Sequence, residues 1–312
     1  MKAIRIHAFG GPDALSYEEV PTPTIQANEV LVRNKAAGIN PIDWKTCSGG
    51  GAASFIGKLP FVPGWEFSGV VELAGAAVED FKPGDEVFGF IRFPEAAGCY
   101  AEYVAAPVSQ IAHKPANMLF STAAGLGLAG LTAWQALFDK GQLSSGQRVL
   151  VLAAAGGVGH LAVQLAKAAG AHVTGSASAA NHAYLQSLGC DEVIDYQTQE
   201  VGKSAQNMDL VIDGMGGDTG IEALACLKPG GRIVTLPSVT ADAVIRAAEA
   251  DGKQALGIRV EPNGEQLAEL AKRYTEGSLQ LTLAAEVPLA EARSAHQQSA
   301  SGHVRGKLVL TI

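Results

Sequence analysis

The stretch VLVLAAAGGVGHLAVQLAKAAGAHVTGSA, residues 149–177, decides the fold. An apolar strand runs into a glycine turn with AxxGxxG spacing, a helix follows, and a second apolar strand closes the unit. Small residues let the backbone approach a pyrophosphate, and the helix N-terminus presents N–H groups to that anion. The complete βαβ unit therefore predicts a dinucleotide site, the alternative being a tight turn without a ligand. The turn residues are Ala153, Gly156, Gly157, Val158 and Gly159.

The end of the second strand bears on the choice between NAD and NADP. An NAD enzyme usually carries a carboxylate here to hold the ribose diol, whereas residues 175–178 are GSAS. Ser176 and Ser178 offer hydroxyl donors and no negative charge that would repel a 2′-phosphate. NADPH is therefore favoured, although the nearest downstream candidate for a cation is His182. Tyr196, at the end of the third strand, either flanks the adenosine or packs on the sheet edge.

The rest of the chain predicts two domains of an α/β protein. Strands alternate with helices from about residue 118, a pattern typical of a parallel sheet covered on both faces. The first hundred residues are rich in strands broken by glycine and proline. We predict a doubly wound Rossmann dinucleotide-binding domain at 118–261. The second, mostly β domain comprises 1–117 with 262–312, because the closing strand GKLVLTI is expected to rejoin the first β-rich region.

Composition excludes several classes of function. A net charge of −8 without a Lys/Arg cluster argues against nucleic acid as a partner. The four cysteines are widely spaced and form no CxxC, which indicates reduced thiols in a cytoplasmic protein rather than a zinc module or a disulfide framework. No signal peptide and no membrane-spanning segment is expected. The absence of a GxSxG motif gives a hydrolase no support.

Six motifs, in the same order along the chain, resemble those of the medium-chain dehydrogenase/reductase superfamily. They are GINPIDWKT, PGWEFSGVV, KPGDEVFG, AGLTAWQAL, LAAAGGVGHLAVQLAKAAGA and GHVRGKLVL. The branch that the chain resembles most is that of the zinc-independent quinone oxidoreductases, which includes NADPH-dependent enone and alkenal reductases. The resemblance implies a GroES-like catalytic domain built from both chain ends, an active site in the cleft beside the Rossmann domain, and a homodimer.

The zinc enzymes of the same superfamily provide a test for a metal. They bind catalytic zinc through a cysteine in the loop that matches GIN and through the histidine of a GHE motif. At these positions the chain has Asn40 and Trp65, which are not a competent set of zinc ligands. We therefore expect no metal. Glu66, which follows Trp65, is then expected to be a structural carboxylate held by a hydrogen bond or an ion pair.

Three residues of the NPIDWK stretch are candidates for catalysis. Asn40 either donates to a substrate carbonyl or to the nicotinamide, or holds the turn before Pro41. Lys45 resembles the lysine that enone reductases place near the nicotinamide ribose and substrate, the alternative being a surface lysine. Asp43 either pairs with Lys45 or caps the following turn, and we assign it a supporting role.

Other residues are expected to border the nicotinamide. Thr132 resembles the family's threonine that hydrogen-bonds this group, or it bonds back to its own helix. Leu236 and Pro237 end a strand at the carboxyl edge of the sheet, where doubly wound folds place ligands. The expected reaction is hydride transfer from NADPH to a quinone or to an α,β-unsaturated carbonyl. The alternatives are one-electron quinone reduction and a non-catalytic NADPH-binding redox sensor.

Overall fold

The computed structural model describes residues 1–312, which form two compact units. Unit 1 comprises residues 1–131, 261–277 and 281–312, and unit 2 comprises residues 132–260 and 278–280. No helix is both long and apolar enough to cross a membrane. All four cysteines are free and buried.

Unit 2 contains a sheet of six parallel strands. The strands are β8 (Arg148–Val151), β9 (His172–Ala177), β10 (Glu192–Asp195), β11 (Met208–Asp213), β12 (Leu227–Thr235) and β13 (Gln254–Gly257). Their spatial order, β10-β9-β8-β11-β12-β13, is that of the doubly wound dinucleotide fold. The predicted Rossmann sheet is thus confirmed. The order reverses between β8 and β11, and ligands of such sheets bind at the carboxyl ends of the strands near this point.

Five α-helices connect the strands of unit 2. They are α3 (Gly159–Ala168), α4 (His182–Ser187), α5 (Val201–Ser204), α6 (Gly217–Ala223) and α7 (Ser238–Ala250). The stretch IEALACLKPGG, residues 221–231, predicts one helix that ends at its glycines. The structure corrects this, because α6 ends at Ala223, a 3₁₀ turn follows, and β12 already begins at Leu227. The KPGG bend lies inside the strand range, where Gly230 has a φ of 78°.

Unit 1 is mostly β. Its strands are β1 (Lys2–Ile6), β2 (Leu15–Glu19), β3 (Glu29–Ile39), β4 (Glu66–Ala74), β5 (Glu86–Phe90), β6 (Tyr103–Pro107), β7 (Ile111–His113), β14 (Leu283–Pro288) and β15 (Lys307–Thr311). Seven lie in one sheet, in which β3 pairs with β4, β6 and β15. The closing strand β15 runs antiparallel to β3 with Leu308 opposite Ile39. The predicted return of the C-terminal strand to the first β-rich region is therefore confirmed.

Four helices accompany the sheet of unit 1. They are α1 (Pro41–Cys47), α2 (Phe120–Trp134), α8 (Gly264–Thr275) and α9 (Ala292–Ala300). The division between the units falls inside α2, at residue 131, whereas the sequence placed the boundary before this helix, at residue 118. Most of α2 belongs to unit 1 because it bonds there: the Ser68 hydroxyl donates to the Phe120 carbonyl oxygen at 2.5 Å, and the Leu128 amide donates to Glu66 at 2.6 Å.

Candidate functional site

The NPIDWK stretch forms the junction between β3 and α1. Asn40 is the N-cap of α1, and Pro41, which has no N–H to leave unsatisfied, begins the helix. The backbone N–H of Asn40 donates to Asp43 Oδ2 at 2.6 Å, and the backbone N–H of Asp43 donates to the backbone carbonyl oxygen of Asn40 at 3.0 Å. The Asp43 carboxylate thus bonds back to the residue before the helix and not to the turn that follows, and the supporting role assigned to Asp43 stays a prediction. This local pairing fixes the chain direction at the start of α1.

A buried ion cluster lies beside this junction in unit 1. It consists of the Asn40, Glu66 and Lys307 side chains with the Leu128 amide. Lys307 Nζ lies 2.8 Å from Glu66 Oε1, and both side chains are almost completely buried, at 3% and 0% exposure. Asn40 Nδ2 donates to the same carboxylate oxygen at 2.7 Å, and the Leu128 amide donates to Oε2 at 2.6 Å. The prediction that Glu66 is a structural, ion-paired carboxylate is confirmed.

The ion cluster also holds the Asn40 side chain at both ends. Its Oδ1 accepts a hydrogen bond from Lys307 Nζ while its Nδ2 donates to Glu66, and the residue is 3% exposed. These bonds fulfil the turn-holding role that the sequence allowed. A catalytic role for Asn40 stays a prediction.

Lys45 and Trp44 lie on the same short helix. The Lys45 ammonium stands 5.4 Å from the centroid of the Trp44 ring, a cation–π distance, and both residues are partly buried. Trp65 is 1% exposed, donates from Nε1 to the Glu95 carbonyl oxygen at 2.6 Å, and meets Phe93 edge-on at 5.5 Å. No group of three or more His, Cys, Asp or Glu side chains is arranged to hold a metal ion.

Asp43 is in an unusual electrostatic setting. Complete burial raises the pKa of Asp43 from 3.8 to about 7. The hydrogen bond from the backbone N–H of Asn40 and the positive charge of Lys307 act in the opposite direction and lower this pKa. Tyr100, also fully buried, lies near this carboxyl, and its hydroxyl is 3.2 Å from His296 Nε2. Burial lowers the pKa of His296 from 6.5 to about 4. The interior next to α1 thus contains two groups whose burial favours their neutral forms.

The glycine turn in unit 2 follows β8. Ala153 adopts a φ of 51°, a left-handed conformation that glycine takes more easily, so the first small residue of the motif stands where the turn is tightest. A Cβ on Gly159 would lie 2.3 Å from the Ala153 carbonyl oxygen, so only glycine fits there without movement. The Ala154 amide donates to the Ser176 carbonyl oxygen at 3.0 Å and ties the turn to β9. Backbone bonds close the start of α3, where the His160 N–H donates to the Gly156 carbonyl oxygen at 3.1 Å and the Leu161 N–H donates to the Val158 carbonyl oxygen at 3.2 Å.

The topology brings most of the predicted cofactor residues to one edge of the unit 2 sheet. The glycine turn follows β8, Ser178 follows β9, Tyr196 follows β10, and Leu236 with Pro237 follows β12. Ser176 lies within β9 and is 4% exposed, Ser178 accepts from Asn181 Nδ2 at 3.1 Å, and Tyr196 is 55% exposed. Thr132 is different, since it lies in α2 and not at this edge.

Two residues at these sites were not predicted from the sequence. Asp213, at the end of β11, is completely buried, and its Oδ1 accepts from the amides of Met215 at 2.9 Å and Gly216 at 2.7 Å. An aspartate before glycines, as in DGMGG, is a recognised turn signal and could have identified it. Lys307 had no such local signal, because a lysine that begins a strand is usually exposed.

A separate cavity of about 360 Å³ lies in unit 1. Arg5, Phe61, Arg92 and Tyr103 are among its lining residues, and none of the predicted catalytic residues lines it. The Arg5 and Arg92 side chains are ion-paired with Glu18 and Glu29. The cavity therefore offers no unpaired guanidinium to a ligand.

Comparison with known proteins places these features in a family. The family model described as "Alcohol dehydrogenase GroES-like domain" matches residues 26–116, which confirms the implied GroES-like domain, and the one described as "Zinc-binding dehydrogenase" matches residues 188–310. The 2-methylene-furan-3-one reductase of Solanum lycopersicum is 34% identical, over 99% of this chain and 79% of its own.

Solved structures agree over the whole chain. The quinone oxidoreductase from Coxiella burnetii has a TM-score of 0.96 and 42% identity, covering 100% of this chain and 99% of its own. The Escherichia coli quinone oxidoreductase complexed with NADPH has a TM-score of 0.87 and 28% identity, covering 100% of both chains.

Proposed function

We propose a reaction for this chain from one premise: it belongs to the quinone oxidoreductase branch of the medium-chain dehydrogenase/reductase superfamily. It is therefore an enzyme of that type, an NAD(P)H-dependent oxidoreductase. We propose that it uses NADPH to reduce a quinone or the alkene of an α,β-unsaturated carbonyl by hydride transfer. The observation that carries the proposal is the glycine turn after β8, at the reversal point of the parallel sheet.

The carboxylate-free end of β9 supports NADPH as the cofactor. Ser176 and Ser178 stand where an acidic residue would repel a 2′-phosphate, and the Escherichia coli relative was solved with NADPH. We expect Ser178→Asp to raise the KM for NADPH at least tenfold while the KM for NADH changes by less than threefold. The matched control is Ser204→Asp, an exposed serine of α5. Equal KM shifts for both cofactors in Ser178→Asp would contradict this assignment.

The chemistry proposed for α1 concerns the substrate oxygen. Bound NADPH supplies the hydride. Reduction of an α,β-unsaturated carbonyl places negative charge on its carbonyl oxygen, and a donor directed at that oxygen lowers the barrier by about 3 kcal/mol. We propose that the Lys45 ammonium is this donor, because it is the cation of the stretch that leads from β3 into α1. A proton from solvent or from a positioned acid completes the reduction.

Turnover of NADPH against a panel of enones and quinones tests the function. Stoichiometric saturated or quinol product supports hydride transfer, whereas semiquinone radicals would indicate one-electron reduction. Tight NADPH binding without turnover of any acceptor would indicate a redox sensor instead. Lys45→Ala is expected to lower kcat by roughly a hundredfold without changing the melting temperature. Lys272→Ala, an exposed lysine of α8, is the matched control. Wild-type kinetics in Lys45→Ala would remove Lys45 from the site.

A further inference from the structure

The Lys307 ammonium has a complete set of partners in the interior. An ammonium group has three N–H donors, and here they reach three acceptors. These are the Ile39 carbonyl oxygen at 2.8 Å, Asn40 Oδ1, and Glu66 Oε1 at 2.8 Å. Only one of the three contacts neutralises charge. The other two hold the backbone at the end of β3 and the side chain of the N-cap residue.

The position of these contacts matters because α1 is short. A helix of seven residues has little stability of its own, so its orientation depends on its contacts with the rest of unit 1, among them those at its N-terminus. At its N-terminus the cap residue Asn40 is held by Lys307 and Glu66, which come from β15 and β4. Lys45 lies little more than one turn further along the same helix.

We infer that Lys307 is a positioning residue for the reaction. Its ammonium fixes Asn40, and in this way it sets the orientation of α1 and of Lys45. This inference rests on the proposed function, in which Lys45 acts on the substrate. The Lys307 ammonium also neutralises the buried carboxylate of Glu66, the residue that follows Trp65. Lys307 is remote in sequence from every residue it holds, with 241 positions separating it from Glu66.

Two roles of Lys307 have to be separated experimentally. A purely structural lysine would only neutralise Glu66, whereas a positioning lysine also orders α1. Lys307→Met alone leaves a buried carboxylate unpaired and risks unfolding. The double variant Glu66→Gln/Lys307→Met removes both charges and keeps an amide at position 66. Its oxygen can accept from the Leu128 N–H, and its NH2 group can donate to Asn40 Oδ1 once the Asn40 side-chain amide turns over. The variant eliminates the ion pair and the hold of the ammonium on Ile39 and Asn40.

The experiment compares this double variant with the wild type at a temperature where both are folded. We expect kcat with a quinone or enone acceptor to fall at least tenfold. The Kd for NADPH should stay within twofold, because the glycine turn lies in unit 2. Hydrogen–deuterium exchange of peptides covering α1 should become at least tenfold faster, while exchange in β8 and β9 of unit 2 stays unchanged. The matched control is Glu200→Gln/Lys203→Met, which removes an exposed ion pair of 2.6 Å.

Each outcome decides the inference. A double variant with wild-type kcat, or with unchanged exchange in α1, would overturn it and leave Lys307 as a neutralising group. The exchange measurement needs no turnover. If the wild type fails to oxidise NADPH with any acceptor, the proposed function fails separately, and the α1 exchange rate still shows whether Lys307 orders this helix.

Discussion

The glycine turn of unit 2 and the buried ion cluster of unit 1 are built in opposite ways. The turn uses the backbone of consecutive residues, and its main requirement is the absence of side chains. The cluster uses charged and amide side chains from positions 40, 66 and 307, with an amide from position 128, and satisfies them within the interior. The glycine turn is specified by local residue spacing, and its stability is sensitive to added side-chain volume. The ion cluster is specified by strand pairing, and its stability is sensitive to the loss of a charge.

Removing one partner of the buried ion cluster is expected to have the largest effect. Glu66→Ala leaves the Lys307 ammonium buried without its counter-charge, which costs about 3–5 kcal/mol of the free energy of unfolding. Chemical denaturation of the variant and the wild type measures it. The matched control is Glu200→Ala, whose partner Lys203 is 77% exposed and for which we expect a loss below about 1 kcal/mol. Similar losses in both variants would mean that the cluster is open to water.

Adding volume to the glycine turn is expected to have a smaller effect. The Cβ of Gly159→Ala would lie 2.3 Å from the Ala153 carbonyl oxygen and 2.7 Å from Ala154 Cα, so the backbone has to move. We expect a loss of about 1–3 kcal/mol in the free energy of unfolding. Gly156→Ala is the comparison, since its Cβ would meet only the Ala153 carbonyl oxygen, at 3.2 Å. Equal destabilisation by the two substitutions would show that steric fit does not distinguish these glycines.

The same contrast explains what the sequence could predict. The glycine turn lies within residues 149–177, so strand, spacing and helix could be recognised together. The contact between Asp43 and the Asn40 N–H is local as well, although the sequence led us to expect that Asp43 caps the following turn instead. Lys307 could not be recognised in this way. Its burial depends on the register that places Leu308 opposite Ile39, and no local pattern specifies a pairing across so many positions.

The domain boundary and the start of β12 also could not be predicted from local sequence patterns. Residues 120–131 have a helical composition that fits either domain, and it is the bond from Leu128 to Glu66 that ties them to unit 1. The segment LKPGG has helix-ending residues, yet Leu227 pairs with Met208 of β11 and starts a strand. In both cases the deciding partner is distant in sequence.

The pH dependence of stability tests the interior next to α1, and here two groups act in opposite directions. The pKa of Asp43 rises on folding from 3.8 to about 7, so between these values the folded chain holds a proton that the unfolded chain has released. Stability from this group falls as pH rises, by up to about 1.4 kcal/mol per pH unit. The pKa of His296 falls on folding from 6.5 to about 4, so its contribution rises with pH over that range.

The two contributions oppose each other between pH 4 and 6.5, so removing either group is expected to change the slope of the wild-type stability curve, in opposite directions. Asp43→Asn keeps a carbonyl acceptor for the Asn40 amide and removes the titration, so its stability should rise with pH through this window. His296→Gln should show the reverse, a fall that continues to about pH 7. Urea denaturation at half-unit intervals of pH measures all three curves. Parallel curves for the wild type and Asp43→Asn would mean that water reaches this carboxyl, and that the N-terminus of α1 is less tightly enclosed than the ion cluster beside it.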